Sequence, residues 1–407
     1  MLKDDERFRW YMLAMAMLTF GSIAGAARLC MPVLFPRMAE DLNLSLVQIG
    51  TIWGMDPLAG MLVGLPAGLL ADRFGIKRTL TVVCLFAGIF GALRGFSVDF
   101  ITMAAYMFLF GFMAAIIPSV VPKVNAVWFT GKRLAVANGM LNVAWSIGSV
   151  FATLSSATVL APLLGGWRGV LFLFAVPPVI LGMLWWFTGR EPREPVHEQE
   201  AGGSETVPFK QALRHVLGIK TVWLLGLTLT SYWGANMGFG GYLPLYLEDS
   251  LGWTPAAAGG AMTLLSGIGI VGVLPMVWYS NKIGSRRVVI GIAAAVVGLT
   301  MAAVPFVEGD GLWVLIVAGG LLRAGAPALA NTMLFEMKGV GGRYAGTAIG
   351  LTNTLGMTGA FLAPPIGNSL ESLSSGAPIL FWAASALVTI PLLFFVKERN
   401  IHDRTPA

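Results

Sequence analysis

The sequence predicts an all-α membrane protein: twelve transmembrane helices in two pseudo-symmetric six-helix bundles. Three observations carry that prediction. Apolar windows of bilayer length recur twelve times, one long polar stretch divides them six and six, and the two halves repeat each other at a constant shift. Composition agrees, with 56% hydrophobic residues, 12% charged residues and a mean hydropathy of +0.75, against the roughly 25% charge of soluble domains. Two cysteines exclude a disulfide scaffold, three histidines leave little for a metal centre, and 51 glycines without a triplet period exclude collagen. The net charge of +6 does not point to nucleic acid, because the 27 Lys and Arg are scattered in twos and threes between apolar runs.

A helix rising 1.5 Å per residue needs about 20 apolar residues to cross a hydrocarbon core of ~30 Å. Windows of that kind lie at 11–35, 46–70, 80–97, 100–122, 135–160 and 168–189, and again at 220–247, 255–279, 288–306, 311–334, 344–367 and 376–396. The charged opening MLKDDERFRW runs into an apolar stretch too long for a signal-peptide core and without a clear small-residue cleavage site, so the first window is expected to remain as a helix. An even number of spans puts both termini on one side. That side receives 22 basic residues and the other only Arg37, Arg94 and Arg168, which predicts cytoplasmic termini in a cytoplasmic (inner) membrane. Arg28 and Arg323 fall inside spans.

Residues 190–218 contain REPREPVHEQEAGGSETVP, whose prolines, acids and Gly-Gly pair cannot build a core. They are expected to form a cytoplasmic linker between an N-terminal bundle, 1–189, and a C-terminal bundle, 219–407. At a shift of 209 residues GLLADRFGIKR (68–78) falls on VWYSNKIGSRR (277–287), with Gly75 on Gly284, Arg78 on Arg287 and Pro118 on Pro327. Internal repeats of this kind are the mark of carrier folds.

The segment GLLADRFGIKR, between the second and third spans, closely resembles the signature G-x-L-a-D-R-x-G-x-k-R of the major facilitator superfamily. With the twelve spans, the linker and the degraded second copy, the resemblance covers nearly the whole chain. It implies two bundles that rock about a central cavity, and a cytoplasmic gating role for Gly68, Asp72, Arg73, Gly75, Lys77 and Arg78, with Asp72 capping a helix N-terminus or pairing with a base. A narrower likeness lies in RLCMPVLFPRMAEDL from Arg28, Gln48-Ile-Gly50, NAVWFTGKRLAVANGMLN and GGWRGVLF, which resemble the anion:cation symporter branch. That branch carries organic anions, often carboxylates. The Asp that commonly precedes the first-helix Arg is Ala27 here, and the Glu of the fourth helix is Ala114.

A guanidinium at the bilayer centre costs roughly 2.5–3.5 kcal/mol on insertion scales, so an intramembrane charge is a functional candidate. Arg28 is expected either to bind a substrate carboxylate through its planar fork or to serve structure, snorkelling outward or pairing with Asp56. Asp56 lies at a similar depth and has two readings. It takes a proton when substrate competes for Arg28, coupling proton entry to anion entry, or it merely caps amides freed at the Pro57 kink. Arg323, in the middle of the tenth span, faces the anion from the opposite bundle or is a local residue at the turn distorted by Pro327. Asn142, Trp145, Tyr232, Asn236 and Asn353 are further lining candidates, with interhelical hydrogen bonding as the plainer alternative. Gly60, Gly64 and Gly68 mark one face of the second span for close helix approach.

These residues predict a secondary carrier for a small organic anion, with protons as the coupling ion, acting as a monomer in the lipid bilayer without cofactor, metal or nucleic acid. Proton-driven drug or metabolite efflux and anion exchange are the alternatives within transport. A membrane enzyme ranks far behind. His197, His215 and His402 lie outside the spans, Cys30 and Cys84 are isolated, and no GxSxG, HExxH or clustered metal-ligand motif is present. The fifth-helix Gly-Pro pattern of drug antiporters is absent from NGMLNVAWSIGSVFATLSSA, and the glycine-rich signatures of nitrate carriers are not found in the fifth or eleventh span.

Overall fold

The computed structural model describes residues 2–64, 66–190, 209–337, 339–396 and 398, and every described element is helical. The chain folds as two compact units, Met1–Gly203 with Trp253–Gly260, and Ser204–Gly252 with Ala261–Ala407. Elements of the first unit are α1 (Arg7–Asp41), α2 (Leu46–Val63), α3 (Pro66–Phe74), α4 (Ile76–Phe96), α5 (Phe100–Trp128), α6 (Gly131–Leu163) and α7 (Trp167–Thr188). There follow α8 (Phe209–Leu217), α9 (Lys220–Leu245), α10 (Pro255–Ile283), α11 (Arg286–Phe306), α12 (Gly311–Glu336), α13 (Gly341–Asn368) and α14 (Ala377–Phe394).

A helical segment stands at each of the twelve expected spans. Among the described residues ten are long and apolar enough by themselves to cross a bilayer, and the bent pair Lys210–Leu217 with Lys220–Ser250 makes an eleventh. The helix at the expected eleventh span, α13, has 28 residues but carries glycine, threonine and asparagine along its length, which lowers its hydropathy below the others. The protein is a multi-pass membrane protein.

Two details differ from the sequence expectation. The signature between the second and third spans is not an open loop: α3 runs to Phe74, Gly75 turns the chain with φ 83°, and α4 begins at Ile76. Gly284, the residue 209 positions on, turns the corresponding segment with φ 78°, a conformation that glycine adopts without the Cβ clash. The end of the expected linker is also folded. In α8 the side chains of Ala212 and Val216 are buried while Lys210, Arg214 and His215 are exposed, and the helix meets α9 at 84°. Residues 191–208 of that linker, with His197, lie outside the described residues, as does His402.

The two units pair their helices in the same way. In the first, α1 packs on α6, α2 on α5 and α4 on α7; in the second, α9 packs on α13, α10 on α12 and α11 on α14. Small residues permit the contacts. A Cβ at Gly111 would stand 2.7 Å from the Asp56 Cα and 3.2 Å from the Asp56 carbonyl oxygen; a Cβ at Gly320 would stand 3.2 and 3.1 Å from the same atoms of Leu265. Both residues of the second pair are 209 positions after those of the first, so the repeat extends to individual crossing points. Of the expected glycine face, a Cβ at Gly64 meets only the Gly60 carbonyl of its own helix. Small residues in a membrane helix let a neighbour approach, and the neighbour here approaches at Asp56.

Helix ends are capped where the chain leaves the apolar layer. Asp99 starts α5 with a capping box, accepting from the Thr102 amide at 2.8 Å. That backbone bond, with a second from the Thr102 hydroxyl, holds the Asp99 carboxyl below the usual carboxylate range. A lowered folded value means stabilisation present above the unfolded pKa of about 3.9 and lost as pH falls through the folded one. An Asp99→Ala variant is therefore expected to melt below the wild type at neutral pH, the gap closing below about pH 4. A Cβ at Gly148 would stand 2.1 Å from the Gly21 carbonyl, whereas one at Gly139 meets nothing within 4 Å. Gly148→Ala is expected to cost about 1–3 kcal/mol of overpacking and Gly139→Ala nothing, read as thermal midpoints in detergent.

Candidate functional site

The first candidate centre is built on a broken helix. Phe20–Ala27 of α1 is wound as a π-helix and the α-helix resumes at Arg28, with Pro32 and Pro36 inside it. Pro32 withholds the amide that the Arg28 carbonyl would otherwise accept, so this stretch of backbone is held by its neighbours as much as by itself. Arg28, half-buried at 31% exposure, forms an ion pair with Asp56 of α2, whose side chain is only 4% exposed. Asp56 therefore meets the first helix rather than serving only as a cap at the Pro57 kink. Trp145 of α6 is half-buried and donates from Nε1 to the Ala24 carbonyl at 3.2 Å, one turn before Arg28. Asn142 is exposed and makes only a 3.4 Å bond to the Asn138 carbonyl of its own helix.

A third charge belongs to this centre and corrects the sequence reading. Arg94 was expected among the loop residues of the face opposite the termini; it is fully buried, at 0% exposure. Its guanidinium donates to the Ala27 carbonyl at 3.0 Å and the Gly91 carbonyl at 3.4 Å and lies 3.8 Å from the Phe110 ring centre. Arg94 stands at the very end of an apolar run, where a basic residue normally marks the bilayer surface, and its side chain turns back into the bundle. The only sequence signal was that its position falls inside the predicted span 80–97.

The second centre lies in the other unit. Among the described residues no carboxylate lies within ion-pair distance of Arg323. Its Nη2 donates to the Asn236 carbonyl of α9 at 3.1 Å, and the guanidinium lies over Gly240, one turn further on. α12 breaks at Ala324, and the Arg323 carbonyl, left without an amide by Pro327, accepts from the Tyr232 hydroxyl at 2.9 Å. Tyr232 and Asn236 are nearly buried, and the Asn236 amide donates to the Tyr232 carbonyl at 2.7 Å while its Oδ1 has no partner. A small apolar cavity of about 10 Å³, lined by Phe239, Leu265, Thr300 and Gly319 among others, adjoins Arg323. Asn353 of α13 is half-buried with an unpartnered Oδ1 and joins neither centre.

The signature residues are tied down at a third place. Asp72, in the last turn of α3 rather than at a helix N-terminus, forms an ion pair with Lys123 of α5. Arg73, Lys77 and Arg78 flank it, and Gly68 lies within α3. In the second unit an ion pair stands at other positions. Arg286, at the start of α11, clasps Glu336 at the end of α12 through two bonds of 2.9 and 2.8 Å. That fork was not foreseen, because Arg286 falls on Lys77 as one more base of the copy and Glu336 lies outside it.

A twelve-helix repeat with this tied signature has a known counterpart. The sequence pattern of the Major Facilitator Superfamily matches residues 12–364. The chain belongs to this superfamily. It is 26% identical to the probable nitrate/nitrite antiporter NarK1 of Thermus thermophilus, over 97% of this chain and 92% of the relative. It is also 26% identical to the cis,cis-muconate transport protein of Acinetobacter baylyi, over 93% and 92% of the two chains. A probable galactarate/D-glucarate transporter of Bacillus subtilis is 24% identical over 94% and 90%. Among solved structures, an inward-facing, unoccupied bacterial homologue of the human lysosomal transporter Spinster superposes with a TM-score of 0.75, covering 96% of this chain and 95% of the other at 18% identity. Family and fold make this protein a transporter and not an enzyme.

Tyr232→Phe in this facilitator is expected to lose about 0.6 kcal/mol, the average for interhelical hydrogen bonds in membrane bundles, measured by denaturant unfolding in mixed micelles. A variant as stable as the wild type refutes the role given to the Tyr232 hydroxyl.

Proposed function

We propose that this transporter moves a small organic anion, a carboxylate, across the cytoplasmic membrane by alternating access with proton symport. The observation that carries the reading is Arg323, a cation inside a membrane helix with no carboxylate among the described residues to neutralise it. A charge in that position is costly unless an anion visits it. Arg28 is the second anion contact. Its present partner is Asp56, so an arriving carboxylate competes for the same fork and Asp56, released, takes the proton. Within its own unit Trp145 supports the Arg28 contact, within the other Tyr232 and Asn236 support the Arg323 contact, and Asn142 and Asn353 are further polar contacts for the solute. The Asp72–Lys123 pair and its neighbours gate the face that carries both termini, which is cytoplasmic by the distribution of basic residues. The working unit is a monomer of two bundles joined by the 190–218 linker. Relatives named for muconate and for galactarate/D-glucarate support the cargo class.

A second reading, exchange of nitrate for nitrite, is favoured by the Thermus relative, named for those ions. One experiment separates the two. Proteoliposomes holding the full chain are offered radiolabelled muconate, D-glucarate and nitrate, with and without an inward proton gradient. Proton-stimulated uptake of a carboxylate is expected, falling about tenfold or more in Arg323→Ala and in Arg28→Ala. Nitrate uptake that needs internal nitrite establishes the second reading, and full carboxylate uptake by Arg323→Ala ends the first.

A further inference from the structure

Arg94 has no route to a substrate, being closed off from solvent between α1, α4 and α5. What it touches is the main chain that presents Arg28. Its Nη2 holds the Ala27 carbonyl at 3.0 Å, and Ala27 is the last residue of the π-helical segment, immediately before Arg28. The same oxygen accepts weakly from Cys30 Sγ at 3.5 Å. Arg94 Nε is anchored on the Gly91 carbonyl of its own helix, Nη1 lies 3.8 Å from the Met107 sulfur, and the Phe110 ring covers the guanidinium face. A planar fork so clamped has few rotamers left, and it transfers that rigidity to the turn it grips.

Two further observations give the contact a meaning. By residue type Arg28, Arg94 and Asp56 are two bases and one acid, so the ion pair leaves one base of this centre without an acid among them. The repeat also places an arginine on the equivalent carbonyl of the other unit: Asn236 stands 209 positions after Ala27, and its carbonyl accepts from Arg323. The two arginines come from different helices, α4 and α12, yet bind the same main-chain position. In the second unit one arginine does both tasks, holding the Asn236 carbonyl of the unbroken α9 and offering charge. In the first unit the tasks are divided between Arg94 and Arg28.

We infer that Arg94 is a positioning residue for anion transport, holding the α1 break at Ala27 so that Arg28 projects toward Asp56 and the arriving anion. The inference rests on the reading of Arg28 as an anion contact. It adds that the affinity of that contact is set from a helix that never meets the solute.

The test uses the full chain in proteoliposomes, with the carboxylate selected among muconate and D-glucarate as the probe, and four variants: Arg28→Lys, Arg94→Met, Arg94→Lys and the double variant Arg28→Lys/Arg94→Met. Arg94→Met is expected to raise the half-saturation concentration about tenfold, maximal rate changing less than threefold, with a thermal midpoint close to wild type. Arg94→Lys, which can reach the Ala27 carbonyl but not the Gly91 carbonyl as well, is expected to restore part of the affinity. Because Arg94 acts through Arg28, the double variant is expected to be no weaker than Arg28→Lys alone, whereas independent structural damage would multiply. Wild-type half-saturation in Arg94→Met, or multiplied losses in the double variant, overturns the inference while leaving the role of Arg28 intact. Wild-type kinetics in Arg28→Lys and in the Arg28→Ala variant above removes the underlying reading, and the inference with it. If Arg94→Met does not yield a monodisperse protein, Arg94→Lys carries the test: a half-saturation raised about threefold supports the inference and an unchanged one overturns it.

Discussion

A guanidinium inside a membrane bundle has to find oxygen, and the interior of this protein is organised around that demand. Arg28 finds a carboxylate, Asp56, while Arg94 and Arg323 find backbone carbonyls of neighbouring helices. Regular helices offer few such carbonyls, since each is already bonded to the amide four residues on. Two carbonyls are offered where helices are irregular, while the Asn236 carbonyl that Arg323 uses lies inside the regular α9. The π-helical turn of α1 ends at the carbonyl that Arg94 grips, and the α12 break releases the carbonyl that Tyr232 satisfies. Non-helical backbone in a membrane protein is tolerated where protein surrounds it, and here arginine and tyrosine side chains are what surround it.

The repeat between the two units is a repeat of backbone, not of chemistry. Gly75 and Gly284 both turn with positive φ, and Gly111 and Gly320 both admit a partner helix at the same crossing. The residues facing those glycines are Asp56 in one unit and Leu265 in the other. Ala114 corresponds to Arg323, and on the counterpart helices α5 and α12 the ion-pair member is a base, Lys123, in one unit and an acid, Glu336, in the other. Glycine and proline govern where helices cross and break, and Gly111 with Gly320 and Pro118 with Pro327 keep the same places in the two units. Side-chain charge is free of that constraint, so one scaffold holds a neutralised arginine on one side and an unneutralised one on the other.

The intramembrane charges were legible because burial makes them expensive: Arg28, Asp56 and Arg323 stand out within apolar runs with no need of a partner to be noticed. Arg94 was misread for the opposite reason. Near the end of an apolar run the same residue is cheap if it faces water, and only the path of its side chain decides whether it does. The glycines of α2 show a similar limit, for spacing marks a narrow helix face without saying which neighbour uses it. Tyr232 and Asn236 were recognised as lining candidates, but their bonds to Arg323 depend on how α9 lies against α12.

Length, hydropathy and the spacing of glycine, proline and charge, taken alone, determined that this chain crosses a membrane many times, repeats itself, carries the superfamily signature and keeps a few charges where charge is costly. These are one-dimensional properties, set by the bilayer as solvent and by the rise of a helix. Only the tertiary structure decided which carboxylate Arg28 meets, that Arg94 turns inward, and that Arg323 rests on a carbonyl instead of an acid. Those outcomes depend on distances between helices far apart in the chain, and a few ångströms there separate a paired charge from one still open to an anion.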